Sequence, residues 1–157
     1  MISYLRQSLR RKKARRYTQE YPAVISVFNL DNEGRIEYAN WDNPLVAPVE
    51  IDQEHVDFFR RFIKTGDLVI DIGANTGDTT VPMAIAAGKN GTTLAFDPNP
   101  YVYKILEKNA SLNPEKTHII PYCFAISGQD EEFFFISSEA SFANGGISLT
   151  QDSWHGK

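Results

Sequence analysis

The sequence has little cysteine, no long apolar run and, near its start, no acidic residue. A single cysteine, Cys123, among 157 residues excludes a disulfide within the chain and a cysteine-based metal cage. No segment approaches the roughly 18 consecutive apolar residues of a membrane-spanning helix, and no apolar segment with a cleavage site opens the chain. The length predicts about one domain, the single cysteine fits the reducing cytoplasm, and no metal site is expected.

Charge is segregated along the chain. Residues 1–19 carry seven basic side chains and no acid, whereas the rest of the chain holds 9 basic and 20 acidic side chains. This basic arm, which also contains Tyr4, Leu5 and Leu9, could contact anionic lipid, nucleic acid or an acidic partner. It also fits a solvated terminal helix, and an Arg-rich, acid-free start resembles an organelle transit peptide. The acidic body argues against a general nucleic-acid surface, so no nucleic-acid partner is expected.

After the arm, the pattern predicts a hairpin and a helix. Apolar and β-branched residues over 23–30 and 35–41 flank a glycine-containing turn, which is typical of a β-hairpin. A helix is expected over 51–66, capped by Asp52. Its core-facing stripe is predicted to comprise Val56, Phe58, Phe59, Phe62 and Ile63.

From residue 67 onward, strand and helix patterns alternate. Strands are expected over 67–73, 92–96 and 117–126, helices over 79–88 and 99–114, and a further strand over 131–137 that pairs with the third strand; 137–157 is irregular. The first strand is a continuous apolar run, as in a parallel strand buried on both faces. The alternation predicts an α/β fold with right-handed crossovers, Rossmann-like and three-layered. The second half of such a sheet is expected to be missing.

The loop "DIGANTG" (71–77) follows the first of these strands. A dinucleotide fingerprint would place glycines where Asn75 and Asp78 stand, and no Gly-Lys-Ser/Thr of a P-loop follows. The pattern Asp-x-Gly-x-x-x-Gly suits a ligand with an amino-acid end and a nucleoside end but no phosphate. The loop therefore predicts S-adenosylmethionine as cofactor.

Two acids end successive predicted strands, so they are expected to meet at the carboxyl edge of the sheet. Asp71 would face the ammonium group of the methionine part, and Asp97 would accept the ribose hydroxyls. Ala125, at the end of the third strand, is a candidate for the adenine wall. Close backbone approach and amides for the carboxylate would come from Gly73, Ala74 and Asn75. The alternative is that the two acids only cap loops.

At these residues the sequence resembles the FkbM family of class I methyltransferases. The resemblance rests on "GDLVIDIGANTGDTTVPMA", "LAFDPNPYVYKILEKNASLNP" and "AISGQDEEFFF", and more weakly on "NGGISL". It implies a seven-stranded Rossmann-like fold and O-methylation of a sugar, glycolipid or natural-product hydroxyl, so a small-molecule or glycan acceptor. Motif by motif, it supports as cofactor residues Asp71, Gly73, Asn75, Gly77 and Asp97.

The chain also departs from this family. A strand ending in a Lys-Ile-Asp-x-Glu-Gly-like segment does not follow, so the chain is expected to be the N-terminal part of a longer enzyme. Its predicted parts are the arm 1–19, the hairpin and helix 20–66, and half of the methyltransferase domain, 67–157. An unpaired strand edge would favour a homo-oligomer. No catalytic base can be assigned. The alternatives are a non-catalytic remnant or binding module and an NAD(P)-dependent oxidoreductase.

Overall fold

The computed structural model describes residues 2–128, 132–137 and 140–148. Its helices are α1 (Ile2–Ala14), α2 (Gln53–Arg60), α3 (Thr80–Ala87) and α4 (Pro100–Ser111). Its strands are β1 (Ala23–Leu30), β2 (Gly34–Trp41), β3 (Leu68–Ile72), β4 (Thr92–Phe96), β5 (Ile119–Tyr122), β6 (Phe134–Ser137) and β7 (Gly145–Ser148). Within these ranges, no helix has both the length and the apolar character to cross a bilayer.

The central sheet is parallel, in the order β3-β4-β5, and α3 and α4 connect its strands. Both helices cover the same face, because Ala95 of β4 packs in one core cluster with Ala84 of α3 and Leu106 of α4. Asn99 begins α4 by accepting hydrogen bonds from the first helical amides, and Pro100 occupies the first helical position. This β-α-β-α-β arrangement confirms the predicted α/β, Rossmann-like fold class.

The N-terminal hairpin extends the core on the helical side of the sheet. Strands β1 and β2 form the predicted antiparallel hairpin, with Ala23 opposite Trp41. Ile36 and Tyr38 of β2 are fully buried and belong to the same cluster as Val56 of α2 and Val81 of α3. The hairpin, α2 and the sheet therefore share one hydrophobic core.

The other face of the sheet is open among the described residues. Leu68, Ile70 and Ile72 are 65%, 57% and 64% exposed, whereas Asp71 between them is buried. The prediction that this strand is buried on both faces is wrong for the described chain. Successive strand residues point to opposite faces, and α3 and α4 lie on only one of them. The described residues thus provide one helical layer of the expected three-layer arrangement.

Helix α2 is shorter than predicted and does not bury all of its phenylalanines. It ends at Arg60, and the amide of Arg61 bonds back to the carbonyls of Phe58 and Phe59. Phe58 and Phe62 are exposed rather than part of the core. Phe58 projects roughly 160° around the helix from the buried Val56, and Phe62 lies beyond the helix end. Their rings pack edge to face on the surface, with centroids 5.6 Å apart.

The end of the described chain also differs from the prediction. The third strand of the sheet stops at Tyr122 instead of continuing to residue 126. The predicted strand over 131–137 is β6, which pairs antiparallel with β7 and not with β5. Strand β7 forms within the segment that was expected to be irregular, and residues 149–157 of that segment lie outside the described residues.

Candidate functional site

Asp71 occupies the next-to-last position of β3 and is buried at the carboxyl end of the sheet. Its Oδ2 accepts a hydrogen bond of 2.7 Å from the Oγ1 of Thr80, the first residue of α3. Burial raises the pKa of Asp71, the bond from Thr80 opposes this shift, and the charge of Asp78 adds to it. A cationic group near the other oxygen would relieve the cost of this buried charge without displacing Thr80.

The loop that follows β3 turns by means of three residues with positive φ, which are Gly73 (79°), Asn75 (48°) and Gly77 (97°). Glycine adopts such angles freely, and asparagine tolerates the left-handed region. A methyl group at Gly77 would lie 3.3 Å from Leu106 Cδ1, but nothing lies within 4 Å of the corresponding point at Gly73. Gly77 therefore lets the loop pack on α4, whereas Gly73 leaves open space at the end of β3.

The first amides of this loop already have acceptors. The N–H groups of Gly73 and Ala74 both donate to the Phe96 carbonyl at 2.9 Å, and that of Asn75 donates to Asp97 Oδ2 at 2.9 Å. We expected these amides to be available to a carboxylate. In the structure these amides are already hydrogen-bonded, because the loop pairs with the end of β4 and with Asp97. The side chain of Ala74 lies in the core, so this residue shapes the loop from inside.

Asp97 directly follows β4, and its Oδ1 accepts a hydrogen bond of 2.9 Å from the amide of Asn99. Burial raises its pKa, the bonds from Asn99 and Asn75 oppose this shift, and the charge of Asp71 adds to it. In the parallel register Ile72 lies opposite Phe96, so Asp71 and Asp97, each next to one of these residues, lie at the same edge of the sheet. Asp97 does cap the loops on both sides, yet an ionised carboxylate has about four acceptor positions and keeps capacity for hydroxyl donors.

Two residues from outside the loop hold Thr76 in place. The hydroxyl oxygens of Tyr38 in β2 and Thr76 lie 2.9 Å apart, and both residues are buried. The Asn109 side chain in α4 donates its Nδ2–H to the Thr76 carbonyl at 2.7 Å. Burial strongly raises the pKa of Tyr38, which therefore stays neutral as a hydrogen-bonding group. The loop is thus fixed from behind by the hairpin and α4.

The same asparagine also pairs with the hairpin. Asn109 Oδ1 accepts from the Ala39 amide at 2.6 Å, and Asn109 Nδ2 donates to the Ala39 carbonyl at 3.0 Å. Asn113 repeats this arrangement with the amide and carbonyl of Glu37, at 2.8 and 2.9 Å. The two side-chain amides therefore pair with the outer edge of β2 as the backbone of a neighbouring strand would. We call this arrangement the asparagine ladder.

We did not predict Tyr38, Thr76 or Asn109 as site residues. A signal for Asn109 exists in the sequence, because it continues the helical spacing of the buried apolar residues of α4. Asparagine is a poor helix former, so its presence on a core-facing stripe requires a hydrogen-bonding reason. No comparable signal marks Tyr38, which fits the alternating apolar pattern of β2.

A cavity of about 760 Å³ opens beyond Asp97, between the segment after β5 and the β6–β7 hairpin. Pro98, Cys123 and Ala125 contribute to its wall, together with apolar side chains of β6. Because Pro98 directly follows Asp97, the cavity lies close to this carboxylate. Burial raises the pKa of the Cys123 thiol, and the charge of Asp97 adds to this shift. Ala125 lies three residues beyond the end of β5 rather than on it, and it lines the cavity.

The two histidines among the described residues do not form a catalytic group with each other. His55 pairs with Asp52 at the start of α2, and His118 Nδ1 lies 3.2 Å from Thr92 Oγ1 on the surface. His155 lies outside the described residues. In the part of the chain that the structure describes, no group of three or more His, Cys, Asp or Glu side chains could hold a metal ion.

Comparison with known proteins relates this chain to methyltransferases. No family model matches the chain, so the resemblance to the FkbM family stays a prediction. The chain is 27% identical over 112 residues to the protein-L-isoaspartate O-methyltransferase of Caenorhabditis elegans, an alignment covering 68% of this chain and 50% of that protein. Among solved structures, the M. jannaschii tRNA m1G37 methyltransferase superposes with a TM-score of 0.43 at 22% identity, over 74% of this chain and 33% of that one.

The chain thus has an α/β fold of the Rossmann-like class, and in sequence it is similar to an O-methyltransferase. It spans about half the length of this curated relative.

Proposed function

We propose that this chain binds S-adenosylmethionine and is the cofactor-binding part of a class I methyltransferase. The observation that carries the proposal is the position of two buried acids on either side of an open glycine turn. Asp71 and Asp97 lie at the ends of adjacent parallel strands, and Gly73 between them has open space beside it. Ligands of open α/β sheets bind at this edge.

The parts of the cofactor can be assigned to residues of this site. The second oxygen of Asp71 would attract the ammonium group of the methionine part, and Gly73 would allow that part to approach the backbone. Asp97 would accept the ribose hydroxyls with its remaining acceptor positions. The adenine ring would enter the apolar cavity beside Pro98 and Ala125, whose volume of about 760 Å³ can accommodate a ring of that size.

The loop chemistry favours this cofactor over a nicotinamide dinucleotide. The turn closest to a pyrophosphate would have to contain glycine at position 75, where Asn75 instead bonds through its side chain to the Thr76 amide at 2.7 Å. Asp78 beside the loop would also repel a phosphate. A zwitterionic methionine end with a sulfonium suits these surroundings better.

The bound cofactor supplies an electrophilic methyl group, and the contribution of the chain is to hold that group in line with an acceptor oxygen. We propose an O-methyltransferase, because both the motif resemblance to the FkbM family and the name of the curated relative indicate transfer to oxygen. The resemblance to the FkbM family predicts a sugar, glycolipid or natural-product hydroxyl as the methyl acceptor. A carboxylate acceptor, as in the name of the relative, is the competing choice.

Isothermal titration tests the cofactor assignment, with S-adenosylhomocysteine and NADH titrated in parallel into the purified chain. We expect binding of S-adenosylhomocysteine alone. The Asp97→Asn variant, which keeps an oxygen for one loop amide, should bind about 10- to 100-fold more weakly because charge-assisted hydrogen bonds to ribose are lost. Glu115→Gln, which removes an exposed acid elsewhere, is the matched control and should bind as the wild type does.

Three outcomes would overturn the proposal. Binding of NADH alone would indicate an oxidoreductase, and binding of neither compound would indicate that the chain holds no such cofactor. Equal affinities in wild type and Asp97→Asn would remove Asp97 from the site. Thermal unfolding of each variant distinguishes a lost contact from a lost fold, since Asp97 also caps the loops on both sides.

A further inference from the structure

Helix α1 presents a basic and apolar surface that the proposed cofactor site does not use. The C-terminal half of the helix rests on the segment after β2, where Ala14 is fully buried. Arg10 forms an ion pair of 2.9 Å with Asp42, and Arg11 donates a hydrogen bond from Nε to the Pro44 carbonyl at 3.2 Å. The helix therefore has a definite inner side and a definite outer side.

The outer side of α1 carries leucines. With 3.6 residues per turn, Leu5 projects roughly 180° away from Ala14, and Leu9 lies roughly 40° from Leu5. The two side chains are 55% and 65% exposed, in agreement with this geometry. Tyr4, on the flank of the same helix, is 76% exposed.

Basic residues surround these leucines. Lys12 projects within roughly 20° of Leu5, and Lys13 and Arg6 lie roughly 80° to 100° to one side. No acidic residue occurs in the first 19 positions of the sequence. Of the seven basic residues in this arm, only Arg10 takes part in an ion pair among the described side chains. The outer side of α1 is therefore cationic around an apolar centre.

From this juxtaposition we propose that the outer side of α1 docks on an anionic lipid surface. An interfacial helix buries leucines at the boundary between headgroups and acyl chains while its flanking cations meet anionic headgroups. Nucleic acid would satisfy the cations but would leave Leu5 and Leu9 in water, because a phosphate backbone offers no apolar surface to them. The inward contacts of Arg10 and Arg11 hold the acidic body on the far side of the helix, away from the like-charged membrane.

Vesicle co-sedimentation of the full chain tests this proposal, with phosphatidylcholine vesicles compared with vesicles that also contain phosphatidylserine. We expect binding only to the anionic vesicles, weakened by salt. Lys12→Ala/Lys13→Ala should reduce partitioning about 25-fold, at about fivefold for each cation. Leu5→Ala/Leu9→Ala should reduce it at least about tenfold. Lys89→Ala/Lys108→Ala removes two exposed charges from the body and should change it less than about twofold.

All of these side chains are exposed, so unchanged thermal unfolding is expected in every variant and verifies that each remains folded. The proposal fails if the chain binds no vesicles, or if the substitutions in α1 and the control pair have equal effects. A single-stranded RNA, followed by fluorescence anisotropy, provides the other arm. RNA binding that needs Lys12 and Lys13 but not the leucines, without vesicle binding, would overturn the lipid assignment in favour of nucleic acid.

Discussion

Replacing Asn109 by alanine should destabilise the chain more than any other single change in the asparagine ladder. Its side chain is buried and makes three hydrogen bonds, to the amide and carbonyl of Ala39 and to the carbonyl of Thr76. Each such bond contributes about 1 kcal/mol, and each buried group left without a partner costs more. We therefore expect a loss of about 3–5 kcal/mol in the free energy of unfolding, a large fraction of the stability of a typical domain.

Asn113 provides the matched control because it makes the same paired bonds to β2 without the third bond to the loop. Its φ is 54°, so glycine is the suitable replacement and adds no backbone strain. Asn113→Gly should cost about 1–2 kcal/mol, since its partly buried partners can turn to water. Urea denaturation with linear extrapolation measures both values. If Asn109→Ala costs no more than Asn113→Gly, the bond to the loop does not stabilise the fold.

Asn109→Ala could be too unstable to purify, and Tyr38→Phe then tests the same connection more gently. It removes only the hydroxyl that meets Thr76 and keeps the buried ring. We expect a loss of about 1 kcal/mol, and no loss when Thr76 has already been replaced by valine. Equal losses in both backgrounds would show that the two hydroxyl groups do not interact.

Further expectations concern the loop, the buried acid and the cavity. Gly77→Ala should lower the free energy of unfolding by about 2–3 kcal/mol in chemical denaturation, and Gly73→Ala by about 1–2 kcal/mol. Both substitutions strain the backbone at a positive φ, but only the methyl group at position 77 would also crowd Leu106. A reversed order would contradict this explanation. Burial raises the pKa of Asp71 in the folded chain above 3.8, its ordinary value. The stability that protonated Asp71 contributes is therefore fully present below pH 3.8 and is lost as the pH rises through the folded pKa. Relative to Asp71→Asn, the wild type should lose stability from about pH 4 upward, and parallel pH profiles of the two would refute this. Cys123 should be alkylated slowly at about pH 8 because the pKa of its thiol is raised. S-adenosylhomocysteine at ten times its Kd should slow this alkylation about tenfold. An unchanged rate would place the adenine ring outside the cavity.

The sequence predicts the β-α-β-α-β unit well because its signals are local. The short apolar strands, the glycines at positive φ and the Asn99-Pro100 helix start each depend on residues within a few positions. The positions of the two acids at the ends of successive strands also predict that they lie close together, since parallel strands bring their carboxyl ends to the same edge of the sheet. Their roles in cofactor binding stay predictions.

The contacts behind the loop could not be predicted in the same way. Tyr38 and Thr76 are 38 positions apart, and their pairing depends on how the hairpin packs on α4. The open sheet face was also missed, because a continuous apolar strand has the same sequence pattern whether one or both faces are covered. Likewise, apolar residues continue past Tyr122, although the strand pairing ends there.

The asparagine ladder has a consequence for how this chain can be shortened. The hairpin lies outside the central sheet, and a truncation that starts at α2 would seem to spare every residue at the carboxyl edge. Such a truncation would nevertheless remove the acceptor and donor groups of Ala39 that orient the Asn109 amide, and with them the geometry that presents its Nδ2–H to Thr76. The minimal unit that can shape this loop therefore begins before β2, and the hairpin supports the proposed cofactor site from behind the loop.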